Sequence, residues 1–174
     1  MIAHDKQPIS KIQWLSVDEI VANAYNPNVV IAPEMALLKF SLLSTWWIQP
    51  ILVGYEEDTK IYTIIDGFHR ATLAKTDPKV RAMTDGLVPC AVLALDKAQR
   101  MMLTVRINRA KGSHVAYAMH ELVKELIGDL GITMKEVCEG IGATPHEVQT
   151  LLAENLFEKF DVRNNPYNTA WSPL

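Results

Sequence analysis

The sequence predicts an α+β chain: a small mixed sheet with helices, followed by an all-α segment that carries a helix-turn-helix. Three observations predict it. Before Asp96, short β-rich runs alternate with helical stretches. After Asp96, apolar residues recur at three- and four-residue steps. Near the end of that stretch, two Thr-x-x-Glu capping signatures stand close together, at Thr133 with Glu136 and at Thr144 with Glu147.

The elements follow in order. "IQWLSVDEI" (12–20) reads as a strand-like run, and the Asn and Pro of "ANAYNPN" (22–28) mark a turn. "PEMALLKFSLLSTWW" (33–47) is helical: Pro33 suits a first turn, and Met35, Leu38, Leu42 and Leu43 recur at helical spacing. "QPILVGYE" (49–56) and "KIYTIID" (60–66) are strands of a hairpin turning through "EDT". Residues 77–87 are turn-rich, and "VPCAVLAL" (88–95) is a further strand. "DKAQRMMLTVRINRA" (96–110) and "SHVAYAMHELVKELIGDLG" (113–131) are amphipathic helices, the second through Val115, Met119, Leu122, Leu126 and Leu130. Two short helices joined by a glycine turn at Gly140 or Gly142 complete a helix-turn-helix, with Pro145 at the first position of its second helix. The spans expected are 1–96 for the sheet domain, 97–162 for the helical segment and 163–174 for an extended or disordered tail.

A chain of 174 residues with 49% apolar content can fill a core. It contains no run of roughly 18 to 20 apolar residues, and its start lacks the order of a secretion signal, so a cytoplasmic protein without a membrane partner is expected. Cys90 and Cys138 stand far apart among apolar neighbours, which fits reduced buried thiols rather than a disulfide or zinc site. A net charge of −3 gives no global attraction to nucleic acid, so any such binding needs a local basic patch.

The residues with the most chemistry lie in "IIDGFHRATLAK" (64–75). A strand ending at Asp66, a turn at Gly67 and a helix starting near Phe68 present backbone amides to an anion. His69 adds a titratable imidazole and Arg70 a permanent forked cation, while Asp66 can orient either or hold a metal. A bland alternative stands beside this: Arg70 only pairs with Asp66, His69 is a satisfied buried imidazole and Gly67 is an ordinary turn. A second corner, "TVRINRAKGSH" (104–114), gathers Arg106, Arg109 and Lys111 around Asn108. It suits a polyphosphate contact, or else a solvated basic helix terminus.

The order "LSVDEI…NPN…QPILV…YTIIDGFHRATLAK…VPCAVLAL…INRAKG" resembles the N-terminal domain of the ParB and sulfiredoxin superfamily, and the helical part resembles the middle domain of ParB-type proteins, over roughly residues 12–155. The resemblance implies a nucleotide. ParB-type proteins bind CTP, and the free serine kinases of the superfamily use an Asp-Gly-His-His-Arg corner for ADP- or ATP-dependent phosphoryl transfer, to which "DGFHR" is closer. Carried over, Asp66, Gly67, Phe68, His69, Arg70, Arg106 and Lys111 would meet the phosphates. Asn108 and Asp66 would hold magnesium, and His69, Arg70 and Arg109 would act in catalysis.

Departures narrow these options. Phe68 occupies the place of the sulfiredoxin cysteine, which excludes sulfinic acid reduction. Ile107 replaces the glutamate that partition proteins place beside magnesium, and the chain is expected to lack their C-terminal dimerisation domain. The kinases' catalytic glutamate lies early in the chain, where Glu19 and Glu34 are candidates.

The helix-turn-helix suggests DNA contact through His146, Gln149 and Thr150, but residues 128–163 hold more acidic than basic side chains. Two functions are therefore expected. One is a nucleotide-binding protein performing magnesium-dependent hydrolysis of ATP or CTP, or phosphoryl transfer. The other is a nucleotide-switched, non-catalytic DNA-binding regulator. A homodimer is a further candidate partnership, and so is a purely structural adaptor role.

Overall fold

The structure is a computed structural model and describes residues 3–23, 32–111 and 116–153. The turn expected through Asn26 and Pro27, the junction at Gly112 and Ser113, and the tail 163–174 lie outside these residues. The chain is mixed α and β, and its contacts divide it into two units: residues 1–23 with 30–95, and residues 24–29 with 96–174.

The first unit holds a five-stranded sheet in the order β1-β5-β3-β4-β2. β1 (Gln13–Ser16) runs antiparallel to β5 (Leu87–Leu93), with Gln13 opposite Cys90. β5 runs parallel to β3 (Ile51–Glu56), with Ile51 also opposite Cys90. β3 and β4 (Ile61–Asp66) form the expected hairpin, closed by the Lys60 amide donating to the Glu56 carbonyl at 2.7 Å. β2 (Ile20–Val21) adds to β4 in parallel. The run 12–20 is thus a strand, a 3-10 turn at Val17–Glu19 and the start of a second strand. Ser16 begins that turn by accepting from the Asp18 amide, which swings the chain from one sheet edge toward the other.

Among the described residues, three α-helices cover this unit: α1 (Ala32–Thr45), α2 (Phe68–Thr76) and α3 (Pro78–Ala82). α3 falls in the stretch read as turn-rich. Asp77 caps it by accepting from the amides of Lys79 and Val80, and Pro78 supplies its first turn. Val17, Ile20, Leu42, Ile51, Val53 and Ile64 are among the buried core, with Met35 and Leu38 of α1 packed against it.

The second unit is helical. α4 (Lys97–Ala110) opens on a reciprocal cap in which Asp96 accepts from the Gln99 amide and Gln99 from the Asp96 amide. α5 (Ala116–Lys124) runs into a π-helical turn at Glu125–Asp129, so the expected single helix widens in its last turn. α6 (Met134–Ile141) and α7 (Pro145–Leu152) are the two short helices. Gly142, at φ +67°, ends α6 in the left-handed conformation that a side chain would oppose. Met101, Val105, Met119, Leu122, Leu126, Val137, Ile141 and Val148 form a separate core.

Candidate functional site

β4 delivers Asp66 to the edge of the first unit, and Gly67 turns the chain at φ +96° into α2. Glycine is required here twice. The φ lies where side chains strain, and a Cβ would sit 3.1 Å from Arg70 Nη2 and 3.3 Å from the Ile51 Cα. Gly67 provides no side-chain cap, and the first turn closes when the Ala71 amide donates to the Gly67 carbonyl at 3.0 Å. The amides of the residues before Ala71 therefore belong to a helix end without intrahelical acceptors.

Arg70 points back across this turn. Nη1 donates to the carbonyls of Gln49 at 2.8 Å and Pro50 at 3.0 Å, and Nη2 lies 3.4 Å from Asp66 Oδ2. The guanidinium so ties the start of β3 to the end of β4. Burial pulls Arg70 below the usual guanidinium range and Asp66 works in the opposite direction; an arginine remains charged in either case. Gln49 and Pro50, read as motif residues, act here through main-chain carbonyls, a role that side-chain reasoning misses.

Phe68 packs against the core and meets the His69 ring edge to face, with centroids 5.3 Å apart. His69 is half-buried. Beside them, between α2 and the Val17–Ala22 segment, lies an apolar cleft of about 250 Å³ whose rim includes Thr72 and Lys75. Sequence spacing gave no sign of it, because Val17, Ile20 and Ile64 reach it from three different elements.

The basic corner at the end of α4 belongs to the second unit, and its side chains diverge. Arg106 and Lys111 are exposed, whereas Asn108 is only 3% exposed. Arg109 binds Glu147 with Nη1 at 2.5 Å and Nη2 at 3.4 Å, and Nη2 also donates to the Gly142 carbonyl at 3.2 Å. It braces α4 against the turn and first residues of α7. This explains a departure from the expected second capping box: Thr144 accepts from the Glu147 amide, but the Glu147 carboxylate turns to Arg109. At Thr133 and Glu136 the box is complete, and it holds Glu136 below the usual carboxylate range.

Among the described residues no three His, Cys, Asp or Glu side chains gather into a metal cage. Asp66 already holds Arg70, and Asn108 is enclosed in the helical unit. Glu19 and Glu34 are both exposed, one in the 3-10 turn and one in the first turn of α1. His146, Gln149 and Thr150 are all exposed on α7. Described residues from Gly128 onward include one Lys or Arg, Lys135, and four carboxylates, those of Asp129, Glu136, Glu139 and Glu147. Cys90 is buried and its thiol is pushed up to about 12 by desolvation, which suits the inert role expected of it. No helix among the described residues is long and apolar enough to cross a membrane.

No protein-family model matches the chain. A solved structure of the chromosome-partitioning protein ParB from Caulobacter crescentus, C-terminally truncated and complexed to the centromeric parS site, is similar with a TM-score of 0.50 and 19% identity. The match covers 80% of this chain and 70% of that one. A second structure of the same protein, complexed with CTP-γ-S, gives 0.49 and 21%, covering 82% and 77%. The first match shows a ParB-like fold. Escherichia coli (strain K12) holds a relative, the uncharacterized protein YbdM, 34% identical over 168 residues, which are 96% of this chain and 78% of that protein. At that identity and coverage, the chain belongs to the YbdM family.

Proposed function

We propose that this chain binds the phosphates of a nucleotide at the corner between β4 and α2. The observation that supports it best is the glycine-led N-terminus of α2, where Gly67 supplies no side-chain cap, backed by a charged Arg70 and flanked by His69. Anions are favoured at such an end, where amides converge and the helix dipole is positive. Arg70 adds positive potential from behind the turn and fixes its shape through Gln49 and Pro50. His69 would donate a hydrogen bond to a phosphate oxygen, or position one during transfer. The resemblance to the free serine kinases and to ParB favours ATP, ADP or CTP, with magnesium supplying charge neutralisation in hydrolysis or phosphoryl transfer.

Regulation of DNA binding without catalysis is the second reading, and one observation favours it. Arg109 neutralises Glu147 at the start of α7, removing a repulsive charge beside exposed His146, Gln149 and Thr150. The ParB structure of matching fold is itself bound to DNA.

Calorimetric titration of the full chain with ATP, ADP, CTP and GTP in the presence of magnesium tests the common element. At least one nucleotide is expected to bind, and His69→Ala is expected to weaken it about tenfold, the size of one charge-assisted hydrogen bond. Absence of binding by all four, or wild-type affinity in both His69→Ala and Arg70→Lys, overturns the reading. Phosphorus NMR of the mixture then separates turnover from simple binding, and a salt-dependent mobility shift on duplex DNA tests the second reading.

A further inference from the structure

Helix α1 is apolar on both sides. One stripe, Met35, Leu38 and Leu42, packs on the core of its own unit. The opposite stripe, Ala36, Leu37, Phe40, Leu43 and Ser44, falls within about a third of the helix circumference at 3.6 residues per turn, and all five residues are exposed. Leu37 is 69% and Phe40 71% exposed, and just beyond the helix Trp46 and Ile48 reach 61% and 73%. A helix with apolar stripes on two opposite faces, separated by flanks that carry Ser41, Thr45 and Lys39, has a second face to cover besides the one on its own core.

The face has the chemistry of an interface centre. From Ala36 to Gln49 it shows one cation, Lys39, and that ammonium is tied to Asp77. Its two hydroxyls at the end of the helix already have acceptors: Ser44 donates to the Phe40 carbonyl at 2.8 Å and Thr45 to the Ser41 carbonyl at 2.8 Å. Pressing this face dry strands none of these hydroxyl donors. Trp46 adopts φ +63°, a left-handed conformation that strains a bulky residue. It lets Trp47 turn inward against the core while Trp46 stays outside.

We propose that this face of α1 is the contact of a symmetric homodimer. Applied to side chains of this size, the four largest exposures give on the order of 600 Å² of apolar surface. That matches the largest patches monomers carry and approaches the roughly 800 Å² per partner of a stable interface. The occupant has to be as uncharged as the face itself. Nucleic acid and anionic lipid need cations that this stripe lacks. A two-fold contact sets the stripe against its own copy and meets the requirement without any other molecule. The proposal is separate from the nucleotide corner, which lies on a different helix.

Sedimentation velocity on the full chain from micromolar to sub-millimolar concentration tests it, with circular dichroism confirming the fold of each variant. Wild type is expected to dimerise, and Phe40→Glu to weaken association at least about thirtyfold, as expected for a central aromatic anchor. Trp14→Glu, an exposed tryptophan on β1 rather than α1, is expected to leave association unchanged. Phe40→Glu mixed with Phe40→Lys is expected to restore dimers, a result that only direct contact between the two copies of this position produces. A wild type that stays monomeric throughout overturns the proposal. So does a folded Phe40→Glu that dimerises like wild type, or a monomer that dimerises only after removal of residues 154–174, which would mean that the chain's own tail covers the face.

Discussion

Arg109 and Asp77 show how single side chains decide local order. Arg109 spends its fork on Glu147 and the Gly142 carbonyl, so Arg109→Ala is expected to destabilise the helical unit by about 1 kcal/mol in urea unfolding, the upper end for partly exposed ion pairs. Glu147→Gln, which keeps one hydrogen bond, is expected to cost less. Asp77 caps α3 and binds Lys39. The Lys39 ammonium holds its carboxyl below the ordinary aspartate range, with the Val80 and Lys79 amides assisting and desolvation opposing. A depressed carboxylate stabilises the fold above its unfolded pKa, and that contribution disappears as pH falls through the lower folded value. Acid titration of thermal stability is therefore expected to be shallower in Asp77→Asn than in wild type over that acidic window, because asparagine retains the cap but does not titrate.

At the scale of elements, α4 and α6 pack so closely that a Cβ on Gly140 would meet Met102 Sδ at 2.2 Å. Alanine there gains up to about 1 kcal/mol of helix propensity and must push a flexible methionine aside, whereas valine cannot be accommodated as easily. Gly140→Val is expected to cost about 1 to 3 kcal/mol in chemical unfolding, with a large part restored by adding Met102→Ala. The elements themselves were partly legible. Strands at 51–56, 61–66 and 87–93 and the inner stripe of α1 follow from runs and periodicity that local chemistry imposes. The five residues of α3 were too few to show a period, although Asp77-Pro78 carried a starting signal. The DGFHR corner was legible as a strand-to-helix junction. The acceptors of Arg70 were not, since main-chain carbonyls leave no mark on the residue types that bear them.

At the scale of the molecule, the two units have separate cores. Ile51→Ala in the first and Leu126→Ala in the second are each expected to cost about 2 to 5 kcal/mol, as deletions from fully buried sites do. Hydrogen exchange is expected to show protection lost chiefly in the unit that carries the substitution; uniform loss across both would mean that they unfold as one. Strand partners beyond the β3–β4 hairpin belong to this scale too, and they were not readable: nothing in "VPCAVLAL" says that it will lie between 13–16 and 51–54.

That position of β5 governs the order of assembly. It is the last strand of the sheet in sequence, yet it sits between β1 and β3 and is bonded on both sides. A chain emerging from the ribosome can close the β3–β4 hairpin and wind α2 from neighbouring residues, so the corner between β4 and α2 forms early from short loops. β1 and β3 then wait with open edges until residue 93 has been made, and through that interval the nascent sheet is exposed to mispairing.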